Sequence, residues 1–425
     1  MEIYVVRQGD TLGQIAQKYN VNIPQIVAVN ELEDSNQLVP GEALVIPTST
    51  RSYTVQYGDT LWSIAQKTGS TVQALIQMNG LTDPNTISPG MTLTIPSHGQ
   101  KPLIETNGFI YDLDSHGVNA VRQVSEHLTY LAPFAYGIKE DGGLTALGDT
   151  DVIREGLNHG AVPMMSISNF TSQELGSDLA HTLLISEDLQ QKLFEAIISI
   201  AKQKAYQGVN IDFENVYPYD RGSYNQFLER AVRRLHDAGL FVSTSLAPKT
   251  SASQQGLLYE AHDYPAHGRI VDFVVLMTYE WGYRFGPPQA ISPLNRIRQV
   301  IDYAVTVIPR NKIMMGFQVY ARDWRIPHVQ GQEAETFSPK EARERALQYQ
   351  STIQYDHKAQ SPFFQYTDQQ GQRHEVWFED ARSAQAKFDL VKSAHLRGIS
   401  YWVLGYPYPE NWTLLEDNFT IRKRL

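Results

Sequence analysis

Apolar runs of four to eight residues alternate with amphipathic stretches over most of the chain beyond residue 102. Eight runs are predicted strands, at residues 108–111, 130–134, 161–167, 208–213, 240–246, 271–277, 312–319 and 398–404. Most are separated by stretches with helical spacing, such as 189–202, 224–238 and 293–307. Strands that alternate with helices form βαβ units and a parallel sheet. Eight such units, with near-continuous apolar strands, predict an α/β fold of the (β/α)8 TIM-barrel type.

The spacing between the predicted strands locates one insertion. Successive strands start roughly 20 to 45 residues apart up to the seventh, whereas the eighth starts 86 residues after the seventh. This long step contains a helical stretch, 339–350, and two strand-like pieces, 363–367 and 375–378. We therefore predict a small α+β insertion at about residues 324–380, between strands 7 and 8. It would lie on the face that carries the active site in such barrels.

Polar and apolar residues alternate along the fourth predicted strand. Asn210, Asp212 and Glu214 are two apart, so on a strand they share one face, and apolar residues fill the other. Crowding raises the pKa of one carboxyl group, which can then stay protonated and serve as a general acid. A solvated strand face would alternate in the same way, so the pattern alone leaves both interpretations open.

Other predicted strands end in aromatic and polar residues. These are Met277, Tyr279 and Trp281 on the sixth, Gln318 and Tyr320 on the seventh, and Trp402 on the eighth. Any one of these aromatic residues could belong to the barrel core. Together with a carboxyl group at a strand end, where such barrels place their working residues, they favour a carbohydrate site.

The first hundred residues contain a repeat with a constant offset of 49 residues. Residues 4–12 recur as 53–61, and the similarity continues without a gap to residues 47 and 96. Each copy predicts a strand, a helix capped within a Gly-Asp-Thr turn, a second helix, a Pro-Gly turn and a closing strand. We predict modules at 1–48 and 51–97 and a larger domain at 102–425. The linkers, 47–51 and 97–102, are short, which predicts modules held near the larger domain.

Composition narrows the class of protein. The chain has 425 residues, a formal net charge of −10 and no cysteine. The charge argues against general nucleic-acid binding, and the lack of cysteine excludes disulfides and thiolate metal sites. No apolar run approaches the ~20 residues that span a bilayer, so no membrane partner is expected. The first six residues lack the basic and apolar regions of a secretory signal, so we expect no cleavable signal peptide.

The βααβ repeat resembles the LysM domain, a module that binds N-acetylglucosamine polymers such as peptidoglycan and chitin. This resemblance implies a shallow glycan groove between the first loop and the loop after the second helix. The implied glycan-binding residues are Gly9, Asp10, Thr11, Leu12 and Asn30 in the first copy and Gly58, Asp59, Thr60, Leu61 and Asn79 in the second. For Asp10 and Asp59 an alternative stays open, in which they only build the turn and cap the helix.

The larger domain resembles glycoside hydrolase family 18, the chitinase and N-acetylglucosaminidase family. Its fourth-strand signature, Asp-x-x-Asp-x-Asp-x-Glu, falls here on Gln207, Asn210, Asp212 and Glu214, so amides replace the first two acids. The Met-x-Tyr of the sixth strand matches Met277 and Tyr279, and the Trp of the eighth matches Trp402. The resemblance extends over the whole domain, including the insertion.

Site roles follow from this resemblance. It implies retaining, substrate-assisted hydrolysis, in which Glu214 is the general acid and base, Asp212 stabilises the reacting acetamido group and Tyr279 orients it. Trp402 would form the floor of the sugar pocket, and no cofactor or metal is required. The further substrate-binding residues we predict are Asn210, Met277, Trp281, Gln318 and Tyr320. Asn210 can hydrogen-bond to Asp212 but cannot ionise, so Asp212 should titrate as a lone carboxylate.

Two LysM modules ahead of such a barrel resemble the cortical-fragment-lytic N-acetylglucosaminidases of endospore-forming bacteria. This implies a monomeric enzyme of the spore that binds and cleaves cortex peptidoglycan during germination. Two alternatives remain: a chitinase acting on chitin, and a non-catalytic, chitinase-like glycan-binding spore protein. Such lectins typically lose the catalytic acid, whereas Glu214 is present.

Overall fold

The computed structural model describes residues 1–34, 37–48, 50–83, 87–96, 101–170 and 176–424. It begins with two small modules. Module 1 consists of β1 (Glu2–Val5), α1 (Leu12–Tyr19), α2 (Ile23–Asn30) and β2 (Ala43–Ile46). Module 2 consists of β3 (Thr50–Thr54), α3 (Leu61–Thr68), α4 (Val72–Asn79) and β4 (Thr92–Pro96). In each, two antiparallel strands and two helices enclose a small apolar core. Of the predicted linkers, residue 49 and residues 97–100 lie outside the described residues.

A barrel of parallel strands follows the modules. Its strands before the insertion are β5 (Leu103–Ile110), β6 (Tyr130–Pro133), β8 (Val162–Ser168), β9 (Gly208–Asp212), β10 (Phe241–Leu246), β11 (Phe273–Leu276) and β12 (Ile313–Gln318), and a short strand, β7 (Tyr136–Gly137), also pairs with β8. The helices that connect them are α5 (Ser115–Val124), α6 (Thr150–Asn158), α7 (Ser177–Leu184), α8 (Glu187–Lys204), α9 (Arg221–His236), α10 (Tyr264–Ile270) and α11 (Leu294–Val307).

The insertion is a small sheet with one helix packed on it. It contains β13 (Ala321–Ile326), β14 (Glu335–Phe337), α12 (Pro339–Gln348), β15 (Gln354–Asp356), β16 (Ser361–Thr367) and β17 (Arg373–Trp377). The strand order is β14-β13-β17-β16-β15, and all pairings are antiparallel. The chain then returns to the barrel through α13 (Ala381–Ala394), β18 (Gly398–Trp402), α14 (Pro409–Asn418) and β19 (Thr420–Ile421).

The barrel closes where β18 pairs with both β12 and β5, with Gly398 opposite Glu105. Apolar residues on the outer faces of the strands pack against the helices, and a second apolar cluster fills the barrel interior. The predicted eight-stranded barrel with an α+β insertion after the seventh barrel strand is therefore confirmed. No helix in the described part of the chain is both long and apolar enough to cross a membrane.

Candidate active site

A cavity of about 670 Å³ opens at the C-terminal ends of the barrel strands. Acidic, aromatic and cationic side chains line it, among them Asp212, Glu214, Met277, Tyr279, Glu280, Trp281, Tyr320, Arg322 and Trp402. Seven of these nine were predicted as site residues from the sequence. The cavity is therefore where the structure brings most of the predicted barrel site together.

Asp212 is the last residue of β9 and is almost completely buried. Burial raises the pKa of its carboxyl group, because the charged form loses its hydration, and the nearby Ser245 hydroxyl group partly opposes this shift. Burial rather than a second acid beneath it is thus the main cause of the shift.

Asn210 lies one pleat deeper in β9 and is fully buried. Its amide group donates to Ser243 Oγ at 3.0 Å, and its Oδ1 accepts from Ser245 Oγ at 3.0 Å. The expected hydrogen bond to Asp212 is replaced by these bonds to β10. Asn210 therefore supports the strand beneath Asp212 and does not line the cavity, which corrects its predicted role in substrate binding.

Glu214 follows β9 and is held in place through its own backbone. Asn169, a fully buried residue after β8, accepts from Glu214 N at 2.9 Å and donates to Glu214 O at 2.8 Å. Burial raises the pKa of the Glu214 carboxyl group, and the charges of Asp212 and Glu280 raise it further. This carboxyl group can thus carry a proton near neutral pH, as a general acid must.

Aromatic residues form the floor of the cavity. The rings of Trp402 and Tyr279 stack with centroids 6.2 Å apart, and Phe109 and Phe134 pack edge-on against Trp402. Burial and the nearby carboxylates raise the pKa of Tyr279, so its hydroxyl group keeps its proton and can donate a hydrogen bond.

Glu280 and Arg322 form a charged wall of the cavity that sequence reasoning missed. Arg322, from the insertion strand β13, makes two parallel hydrogen bonds to the Glu280 carboxylate, at 2.9 and 2.8 Å. Tyr320 also donates to Glu280, and Arg322 donates to Gly282 O. Such bidentate pairs fix geometry as well as charge. Glu280 could have been predicted, because it is an acid that directly follows Tyr279 at a strand end. Nothing in the local sequence indicated Arg322.

Gln318 was predicted to bind substrate, but the structure places it behind the cavity. Its side chain is fully buried and donates to Glu379 Oε1 at 3.0 Å and to Tyr320 O at 3.3 Å. Glu379 in turn pairs with Lys387 at 2.6 Å. The last residue of β12 thus points toward α13, and it is Tyr320, two residues later, that reaches the cavity.

In the modules, several predicted glycan-binding residues have structural partners. The Asp10 carboxylate accepts from Tyr4 Oη at 2.7 Å and from Arg7 N at 2.8 Å, and Asp59 repeats this arrangement with Tyr53 and Gln56. Thr11 and Thr60 cap α1 and α3. Both Asp residues therefore hold the turn in place.

The remaining predicted residues of the module grooves differ in exposure. Leu12, Leu61 and Asn30 are buried, whereas Gly9 and Gly58 are exposed. The amide groups of Asn30 and Asn79 each donate one hydrogen bond to a carbonyl of their own helix, and each side chain exchanges two further bonds with the backbone of β2 or β4. Both Asn side chains therefore fix the shape of the loop that follows the second helix.

Comparison with known proteins agrees with this architecture. Residues 132–406 match glycosyl hydrolases family 18, and residues 4–47 and 53–96 match the LysM domain. The whole chain is 51% identical to the cortical fragment-lytic enzyme of Bacillus subtilis (strain 168), of which it covers 99%. The spore cortex-lytic enzyme SleL of Bacillus cereus has a similar structure, with a TM-score of 0.91 and 40% identity over 99% of this chain and 98% of that chain. For SleL of Bacillus megaterium QM B1551 the TM-score is 0.88, with 40% identity over 100% of this chain and 99% of that chain. The chain therefore belongs to glycoside hydrolase family 18, and it is a glycosidase whose barrel follows two LysM domains.

Proposed function

We propose that this glycosidase cleaves N-acetylglucosaminyl bonds in spore cortex peptidoglycan by a retaining, substrate-assisted mechanism. One observation carries the mechanism: Glu214, with a raised pKa, shares a cavity with the buried carboxyl group of Asp212 and the protonated hydroxyl group of Tyr279. The relatives at 51% and 40% identity are named for spore cortex or its fragments, which supports the choice of substrate.

The proposed reaction begins with a proton on Glu214. This carboxyl group protonates the leaving glycosidic oxygen while the substrate's own 2-acetamido oxygen attacks C1, so the oxazoline forms without a protein nucleophile. Glu214 then removes a proton from the incoming water, which opens the oxazoline with retention of configuration. A raised pKa suits both steps, because the same group must release and regain a proton near the working pH.

Asp212 and Tyr279 act on the acetamido group in this proposal. The Asp212 carboxylate accepts the acetamido N–H and stabilises the positive charge that develops there, and the low exposure of Asp212 strengthens this interaction. Tyr279 donates its hydroxyl proton to the acetamido oxygen and orients it toward C1. Trp402 supports the sugar ring from below, and Met277, Trp281 and Tyr320 line the remaining wall.

In this proposal the modules hold the enzyme on insoluble cortex. The chemical mechanism itself does not require this anchoring. LysM domains support this role, since two weak sites on one chain raise the overall avidity. We place the glycan contact at the exposed turns that begin at Gly9 and Gly58. Cortex as the proposed substrate also implies that the enzyme resides in the spore.

Muropeptide analysis of digested cortex tests the proposed reaction. Incubation of purified spore cortex with the enzyme should yield fragments with N-acetylglucosamine at the new reducing end, identified by mass spectrometry. Fragments ending in muramic residues would contradict the bond assignment. Release of soluble products from chitin, with none from cortex, would instead favour the chitinase alternative.

Replacement of the proposed acid tests the mechanism separately. Glu214→Gln keeps the shape of the side chain but has no proton to transfer, so kcat on soluble fragments should fall about 10²–10⁴-fold or more. Binding of N-acetylglucosamine oligomers should persist. Glu195→Gln, on the outer helix α8, is the control and should leave both quantities unchanged. Near-normal hydrolysis by Glu214→Gln would place the acid elsewhere.

A further inference from the structure

Module 1 does not stand apart from the catalytic domain. Its residue Val39 is buried within the apolar core of the insertion, together with Ala321, Phe337 and other insertion residues. We propose that module 1 is a fixed structural support of the insertion sheet, and through that sheet of the Arg322–Glu280 wall of the active-site cavity.

The insertion sheet has two faces with different partners. Along β13 and β14, Ala321, Asp323, Glu335 and Phe337 point to one face, because side chains alternate along a strand. On that face the apolar residues pack with Val39, and Asp323 and Glu335 both pair with Arg345 of α12. Module 1 and α12 together therefore cover this face.

The opposite face of the same strands borders the active site. Arg322 and Thr336 line the cavity, and Trp324 packs with Tyr320 in an apolar cluster beside it. Arg322 lies between Ala321 and Asp323 in the sequence. If the contacts with module 1 shifted β13, the guanidinium group of Arg322 would therefore move in the cavity, because the same strand backbone carries the residues of both faces.

Polar contacts fix the loop that carries Val39. Pro40 O accepts from Ile353 N at 2.9 Å, and Gly41 O accepts from Arg382 at 2.9 Å. The Glu42 carboxylate pairs with Arg343 of α12, and both of these side chains are largely buried. Buried charge-assisted bonds of this kind hold one geometry, in contrast to exposed ion pairs, which contribute little.

Module 2 provides the internal comparison, because the described residues of its equivalent turn are exposed. Val39 corresponds to Ser88 and Gly41 to Gly90 at the 49-residue offset, and Ser88, Pro89 and Gly90 are all exposed. The turns themselves are alike: Gly41 N donates to Val6 O and Gly90 N to Val55 O, both at 2.8 Å. The two copies thus share a turn, and among the residues that the structure describes it is the turn of module 1 that is embedded in the insertion.

The two glycines allow a matched test. Both have φ of +88°, so an alanine at either position meets the same backbone strain. A Cβ at Gly41 would lie 1.8 Å from Ile353 O, whereas at Gly90 nothing lies within 4 Å. Gly41→Ala therefore disturbs the docked loop in addition to the turn, and Gly90→Ala disturbs only the turn.

Two readouts on the full-length variants test the proposal. Gly41→Ala should lower kcat/KM on soluble cortical fragments by roughly 10- to 100-fold, because small displacements at a site have effects of this size. It should also increase hydrogen exchange in β13 and β14, a readout that does not depend on the proposed substrate. Gly90→Ala should retain the wild-type values of both.

Several outcomes would overturn the proposal. Equal losses in both variants would assign the effect to turn strain alone. Faster exchange confined to module 1, with unchanged kcat/KM, would show a module that is docked but not needed by the site. If Gly41→Ala does not fold, Val39→Ser, which installs the module 2 residue, takes its place. It should show the same two changes at smaller size, and unchanged exchange in β13 and β14 would contradict the proposal.

Discussion

At the scale of single residues, Glu280 adds to the effect of burial and of Asp212 on the proton affinity of the proposed acid. Its charge is one of the causes that raise the pKa of Glu214. Glu280→Gln removes that charge and leaves Arg322 without its carboxylate partner, and both changes lower the pKa of Glu214. A lower pKa means that Glu214 loses its proton at lower pH. The alkaline limb of kcat/KM should therefore move toward lower pH.

The pH profile of kcat/KM on soluble fragments measures this shift. Glu195→Gln, far from the cavity, should leave the profile unchanged. An unmoved or more alkaline limb in Glu280→Gln would mean that this limb does not report the deprotonation of Glu214.

The local sequence pattern was sufficient to place those site residues that lie at or just beyond the end of a barrel strand. Asp212, Glu214, Tyr279 and Trp402 all reach the cavity as predicted. Asn210 and Gln318 lie away from the cavity, because a polar residue on a strand can also bond to its neighbours inside the protein, as both of these side chains do.

The missed residues depended on tertiary structure. Arg322 comes from an insertion strand, and only the packing of that sheet on the barrel brings it to Glu280. Glu280 itself has φ of +66°, a left-handed conformation that interrupts the strand-like alternation beyond β11. Strand spacing alone could therefore not place its side chain.

At the scale of elements, a buried ion pair joins the end of the insertion to α13. Glu379 Oε2 and Lys387 Nζ are 2.6 Å apart, and both side chains are fully buried. Lys387→Met leaves the carboxyl group of Glu379 buried without its cation, which should lower the free energy of unfolding by about 3–5 kcal/mol. Denaturant unfolding of the full chain measures the change.

The sign of its pH dependence follows from the buried acid. Burial already raises the pKa of Glu379, and the charge of Lys387 partly opposes that rise. Loss of Lys387 therefore raises the pKa of Glu379 further. The folded variant then holds a proton that the unfolded chain releases, so its stability falls as the pH rises above the ordinary carboxyl range. Adding Glu379→Gln should recover most of the loss. A deficit that is independent of pH, or that persists in the double variant, would contradict this account.

Element boundaries were predictable where apolar runs defined them. The helix predicted at 293–307 is α11 (Leu294–Val307), and the predicted insertion helix and its two strand-like pieces correspond to α12, β16 and β17, whereas β13, β14 and β15 were not predicted. β5, however, begins at Leu103 rather than near residue 108. Its first half contains Glu105 and Asn107, buried polar residues that bond to Arg397 and Ser400 and so hide the strand from an apolar pattern.

At the scale of the whole molecule, the two modules present different surfaces despite their common fold. The 49-residue offset pairs Trp62 of module 2 with Gly13 of module 1. Trp62 is 67% exposed and follows the turn that begins at Gly58. It lines a cleft of about 790 Å³ that module 2 forms with the first strand of module 1 and the barrel helices α11 and α13. Because module 2 has Trp62 where module 1 has Gly13, binding to insoluble cortex should depend more on module 2 than on module 1.

Trp62→Ala tests this division of tasks. An exposed indole offers a sugar ring a large apolar face at low entropic cost, so its loss should weaken binding to insoluble cortex several-fold. Hydrolysis of soluble fragments should be unchanged, because Trp62 does not line the catalytic cavity. Ile185→Ala, which removes a side chain of similar exposure at the end of α7, is the control. Unchanged cortex binding by Trp62→Ala in a sedimentation assay would place the anchoring surface elsewhere, and a loss of soluble activity would mean that module 2 also contributes to the catalytic site.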